Sequence, residues 1–192
     1  MQVSVQYEYG SPYAGFWRRV IASFIDGLFQ SAIMFVFVIV AFVTNPSLGE
    51  IFETQDIDAL IAARVYFAGM ASLMVLCYHA LFESSGLQAT LGKMAVGIKV
   101  TDLVGDPLGP IRAAIRSWPA WIYGIYSFFS FVAGGIFGGF LAELLVGIFG
   151  TISCLVVAFT IQKQGLHDMM AGALVVRRGT QFMMRDEYAS AF

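Results

Sequence analysis

From Ser31 to Val43 the chain carries no charge and, after Ser31, no polar side chain. With Phe16–Gln30 before it, this makes an apolar run long enough to cross a bilayer, which takes about 20 residues. Asn45-Pro46 ends the run, because proline disfavours helix at the residue before it. The polar stretch Met1–Gly15 has no basic leader, and the run is too long for a signal core, so it reads as an uncleaved first span. Apolar residues make up 58% and charged residues 12%, against roughly a quarter charged in soluble domains. The mean hydropathy is +0.76. A soluble core of this size cannot hide that much apolar surface.

The pattern predicts an all-α membrane protein of about four transmembrane helices, over residues 16–43, 61–82, 112–131 and 141–161. Residues 84–117 differ in kind, with Lys93, Lys99, Arg112 and Arg116 among shorter apolar stretches. Thr90–Val96 and Ile111–Trp118 read as interfacial amphipathic helices. Ile98–Asp102 alternates apolar and polar, as a half-buried strand does, and Ala173–Arg178 is its expected partner in a small cytoplasmic two-stranded β pair. Gly165–Ala173 reads as a short amphipathic segment. Residues 179–192 read as a loosely ordered cytoplasmic tail. All of the basic residues except Arg64 fall on one side of such a topology. The positive-inside rule then places the protein in the cell membrane with both termini cytoplasmic.

Two stripes carry ionisable chemistry. Arg19, Ser23, Asp26 and Gln30 stand at i, i+4, i+7 and i+11, on one face of the first helix. At about 1.5 Å rise per residue, Asp26 lies about 10 Å along the axis from Arg19. A carboxylate at that depth costs several kcal/mol unless it is paired or solvated, so it must face the bundle interior or a polar cavity. It is either an ion or proton carrier or half of a helix-locking pair. Ser72, Leu76, His79 and Glu83 repeat the spacing in the second span, with His79 read as a satisfied histidine ahead of a proton shuttle near neutral pH, and Glu83 as hydrated near the cytoplasmic end. His167-Asp168 sits after the fourth span, where Asp168 is an expected partner for Arg19.

Other chemistries are excluded. Cys77 and Cys154 lie in apolar runs without a Cys-x-x-Cys, and read as core residues rather than a disulfide. His-Glu-x-x-His, Gly-x-Ser-x-Gly and a phosphate loop are all missing, so the sequence predicts no enzyme, no cofactor and no metal. The expected partner is the lipid bilayer, not nucleic acid. Four spans without an internal repeat are few for a transporter, so a transporting chain would be a homo-oligomer.

Three segments together resemble one family. Ala14-Gly-Phe-Trp-Arg-Arg19 with Asp26, Gln88-Ala-Thr-Leu-Gly-Lys93 through Asp102, and Gly165-Leu-His-Asp168 through Val176 are similar to the three motifs of the RDD membrane proteins. The resemblance spans roughly residues 13–178. It implies that Arg19, Asp26 and Asp168 are the arginine and two aspartates that give the family its name, and that Lys93 is its motif lysine. Two positions depart from the family pattern: Leu91 stands where proline is common, and Gln88 where glycine is common. The resemblance also implies transport, with exchange of Na+ or another monovalent cation for H+ described for some members. On that expectation Asp26 alternates between protonated and cation-bound states. The competing expectation is a non-transporting scaffold or accessory subunit whose charged cluster is structural.

Overall fold

The computed structural model describes residues 3–6, 10–54, 56–122, 126 and 136–184, with the backbone alone for 3–6, 52–54, 136–143, 145–146 and 183–184. Two long helices dominate it, α1 (Phe16–Thr44) and α3 (Ile57–Ser84). Their most apolar windows have mean hydropathies of 2.3 and 1.9, and 0% of either window is buried within the protein. A soluble core helix would show the reverse. Phe24, Phe35 and Val43 point outward from α1, as do Tyr66, Leu73 and Leu81 from α3. Each helix is about 40 Å long, more than the roughly 30 Å of a hydrocarbon core. Phe37 and Phe67 meet edge to face between them, centroids 6.4 Å apart.

Residues 47–54, expected as loop, form α2 (Ser47–Thr54). Pro46 precedes its first turn, and Leu48, Ile51 and Phe52 recur at helical spacing. Asp56 caps α3, its carboxylate accepting from the N–H groups of Asp58 (3.1 Å) and Ala59 (3.3 Å).

Among the described residues these two helices alone are long and apolar enough to cross a bilayer. The expected third span, 112–131, does not start as one helix. Instead α5 (Pro110–Arg116) closes at Ser117, and residues 118–122 begin a new helical turn. Pro119 is the reason: inside a continuous helix its ring would strike the Ile115 carbonyl. Of the rest of that span, only residue 126 is among the described residues. The expected fourth span lies almost entirely within α6 (Ile136–Phe159).

The tightest packing is not between the spans but in a cap at one end of them. The cap holds α4 (Leu91–Ala95), β2 (Ile98–Thr101), α5, α7 (Leu166–Ala171) and β3 (Leu174–Arg177). β2 and β3 pair antiparallel, Ile98 opposite Arg177 and Thr101 opposite Leu174, as the alternation predicts. Residues 12–14 run along the other edge of β3, with Ala14 N–H donating to the Val175 carbonyl at 2.8 Å. Ile98, Val100, Leu108, Ala113, Ala171 and Val175 fill the space between this ribbon and the short helices. That backing stabilises a strand pair that would be marginal alone.

A second antiparallel pair joins β1 (Val3–Gln6) to β4 (Gln181–Met184). The sequence reading of 179–192 as a loose tail is corrected for residues 181–184. Gly179, at φ +88°, supplies the left-handed residue that turns the chain out of β3, and β1 gives β4 a partner. Residues 185–192 lie outside the described residues.

α4 lies directly against α1. A Cβ at Gly92 would stand 2.1 Å from the Ala22 carbonyl oxygen and 2.8 Å from the Asp26 carboxyl carbon. Neither atom can retreat, since one is helix backbone and the other is hydrogen-bonded in place. Gly92→Ala should therefore destabilise the protein by at least about 1–3 kcal/mol. A thermal melt of the detergent-solubilised protein reads this as a clear drop in Tm, and an unchanged Tm would contradict the contact.

Candidate functional site

Asp26 is buried on α1 and receives the start of α4. Its Oδ1 accepts from the Tyr78 hydroxyl at 2.6 Å and the Gly92 N–H at 2.7 Å, and its Oδ2 from the Thr90 hydroxyl at 2.6 Å. Thr90 is the N-cap residue of α4, yet its hydroxyl makes no cap bond of its own. The carboxylate of another helix takes over that role, satisfying N–H groups that a helix start leaves open. The Tyr78 hydroxyl also accepts the Leu91 N–H at 3.0 Å. A proline at 91, the common family residue, would have no such N–H to place.

A second set of charges runs beside it. Glu83, at the end of α3, is 0% exposed. It accepts from Lys93 Nζ, from His79 Nδ1 at 3.1 Å, and from Arg116 Nη1 through both oxygens at 2.9 and 2.7 Å. The expectation of a hydrated Glu83 is corrected: α4 and α5 close over it and replace water with cations. Arg116 Nε reaches on to Asp168 Oδ1 at 2.8 Å. Asp168 Oδ2 accepts from Arg19 Nη1 and from the Gly165 N–H at 3.0 Å. Arg19 also donates to the carbonyls of Ala14 (3.1 Å) and Lys163.

Lys93, Glu83, Arg116, Asp168 and Arg19 thus alternate in sign along one buried chain, drawn from α4, α3, α5, α7 and α1. Three cations stand with three carboxylates once Asp26 is included. Buried charges are tolerable only in such an arrangement. Burial alone would raise the Asp168 pKa, but the Arg116 and Arg19 guanidiniums outweigh it and hold the carboxyl well below the usual carboxylate range. Burial pushes the Lys93 ammonium down, against the pull of Glu83 beside it.

His167 ties α7 to α6. Its Nδ1 lies 2.9 Å from the Ser153 hydroxyl, which also accepts the His167 N–H at 3.3 Å. Burial pushes this histidine down to about 4, with nearby Asp168 opposing the shift. Arg112 closes the far end of α7, donating to the carbonyls of Ala171 (2.8 Å) and Gly172 (2.7 Å).

The sequence candidates divide accordingly. Arg19 and Asp168 meet, as expected. Asp26 sits apart from that pair, held by hydroxyl and N–H donors. Glu83, Lys93 and His79 join in one contact set. Ser23 and Gln30 make no such bond but line a cavity of about 380 Å³, together with Arg19, Asp26, His79, Lys93, Arg116 and His167. Sequence reasoning passed over Arg116, the residue that joins the two acidic groups. Its spacing one turn from Arg112 pointed to a helix face, and only the fold puts it between Glu83 and Asp168. Tyr78, Thr90 and Gly92 were also missed, because hydroxyls and a glycine carry no charge signal.

The RDD family pattern matches residues 13–172. The chain belongs to the RDD family. It is 31% identical over 171 residues, 85% of its own length and 96% of the relative's, to "Uncharacterized protein YxaI" of Bacillus subtilis (strain 168). No solved structure matches. RDD membership and two bilayer-length apolar helices mark it as a membrane protein. The residues that the resemblance assigns as the family's arginine and second aspartate form the Arg19–Asp168 pair, and the one it assigns as the first aspartate anchors α4. The departure at Gln88 also has a local reason. Gln88 sits at φ +54°, where glycine is favoured. Its side chain offsets the strain by donating to the Gly105 carbonyl at 3.1 Å.

Acid should loosen this cap in two stages. His167 is neutral in the folded protein down to about 4, while in the unfolded chain it gains a proton near 6.5. Its contribution is present above about 6.5 and lost as pH falls toward 4. Asp168, depressed by its cations, contributes above its unfolded value of 3.8 and is lost only at lower pH. Tm should hold from pH 8 to 7 and fall between 6.5 and 4, and His167→Asn should flatten that first fall. A Tm that rises over this interval would contradict the assignment.

Proposed function

We propose that the charged network is a structural lock, and that the chain is a membrane scaffold or accessory protein rather than an ion exchanger. The observation that carries this reading is the Asp26 carboxylate, held by donors on both of its oxygens. Three donors from Tyr78, Thr90 and Gly92 occupy it, and a carrier must release what it holds and accept a proton or cation in turn. A monovalent cation would need free oxygens, and Glu83 and Asp168 are also engaged. In this reading the network fastens the cap to α1, α3 and α6, and presents it on the cytoplasmic face with both termini. The reading keeps four spans in the cell membrane and assigns no catalytic step.

A second reading keeps monovalent cation/proton exchange, with the chain as a homo-oligomer. Its support is the cavity along Ser23, Asp26 and Gln30, which gives a polar inlet beside the intramembrane carboxylate.

Sodium-driven proton flux in sealed proteoliposomes, read beside thermal stability, separates the two. The structural reading expects no flux from folded wild type. It also expects Asp26→Asn to lose about 1–3 kcal/mol, because the amide NH2, in place of one oxygen, would stand against at least one of the donors that the carboxylate now satisfies. Flux in wild type that vanishes in an Asp26→Asn protein of unchanged Tm would overturn it in favour of exchange.

A further inference from the structure

The acceptors of the network are more nearly filled than its donors. A carboxylate takes about four hydrogen bonds and offers no N–H, whereas an ammonium has three donors and a guanidinium five. Glu83 accepts four contacts from His79, Lys93 and Arg116. Asp168 is held by Arg19, Arg116 and the Gly165 N–H, with His167 Nε2 at 3.4 Å. Lys93 Nζ, by contrast, makes one hydrogen bond among the described residues, to Glu83. Arg116 uses Nε and Nη1, and its Nη2 makes none among the described residues.

Both cations line the 380 Å³ cavity. That volume falls within the range of small-molecule sites, about 300–1,000 Å³. Gln30 lines the same cavity and holds a buried Nε2 with no partner among the described residues. It stands eleven residues beyond Arg19, about 16 Å along α1. A buried amide N–H left unpaired is costly, and a ligand acceptor or ordered water would recover that cost. The cavity therefore presents spare N–H donors from Lys93, Arg116 and Gln30, with the Asp26 carboxylate, held by its own donors, also on its wall.

We propose that this cavity binds a phosphate-class oxyanion. Lys93 and Arg116 take the phosphate oxygens, and Gln30 meets an acceptor on the remainder of the ligand. Guanidinium and ammonium groups suit phosphate, one by its fork of donors and the other as a point charge. The apolar wall of Phe16, Val20 and Val157 suits a carbon-bearing remainder. The phosphate could come from a soluble ester or from a lipid headgroup, since both offer the same oxygens. This proposal goes beyond the structural lock and does not depend on what Asp26 does.

The test uses the full chain in neutral detergent, with Tm followed against inorganic phosphate and glycerol 3-phosphate at constant ionic strength. A second arm compares nanodiscs of phosphatidylglycerol with nanodiscs of phosphatidylcholine. A saturable rise in Tm with the soluble phosphates assigns a free ligand. A rise confined to phosphatidylglycerol assigns a lipid headgroup. Ala120→Leu adds bulk to the cavity wall at a residue that is not itself part of the charged network, so it should weaken either response at least tenfold while the protein still melts cooperatively. Gln30→Leu should weaken glycerol 3-phosphate more than inorganic phosphate. The proposal is overturned by no response in either arm from folded protein, by a response to sodium but not phosphate, or by a response that Ala120→Leu leaves unchanged.

Discussion

Two carboxylates without solvent, Glu83 and Asp168, set the terms for the rest of this structure. A buried carboxylate without a cation would cost far more than one domain can recover. Each must therefore be met by a guanidinium or ammonium, and the cations come from elements far apart in sequence. Arg116 touches both, Lys93 closes one side, and Arg19 closes the other. Satisfying these charges therefore forces α1, α3, α4, α5 and α7 together at one end of the molecule. Such pairs are weak evidence of net stability, because desolvation offsets most of the attraction. Breaking one, though, leaves a bare charge at a cost of about 3–5 kcal/mol. Their value here is in permitting a single arrangement.

Close approach follows from the same demand. Asp26 can serve as the cap of α4 only if α4 lies against the α1 backbone, and Gly92 is the residue that lets it. The β2–β3 ribbon then covers the short helices, and the apolar core forms there rather than between the long helices. The outward faces of α1 and α3 stay apolar, which suits lipid.

The long spans were legible in the sequence because an uncharged run has few other readings, and α1 matches residues 16–43 to within one residue. The β2–β3 pair was legible from alternation in Ile98–Asp102. Arg19 and Asp168 could be paired through the family resemblance. Three things were hidden. The break at Ser117 was hidden in bounds that ran the third span from residue 112, across the start of a new helix whose first turn holds Pro119. The burial of Glu83 depended on tertiary cover that no local pattern carries. Arg116 looked like one more basic residue of an interfacial helix, and only the fold makes it the bridge. The hold on both oxygens of Asp26 was hidden for a related reason, since its donors are two hydroxyls and a backbone N–H from elsewhere in the chain.

If the ionic chain is what fastens the cap, its middle member must protect both halves of it. Hydrogen–deuterium exchange of Arg116→Met beside wild type, in the same detergent, tests this directly. The account predicts that the segments around α4–β2 and α7–β3 lose protection together, while α1 from Ser31 onward keeps its own. Loss confined to α5, with both strand segments as slow as in wild type, would contradict it.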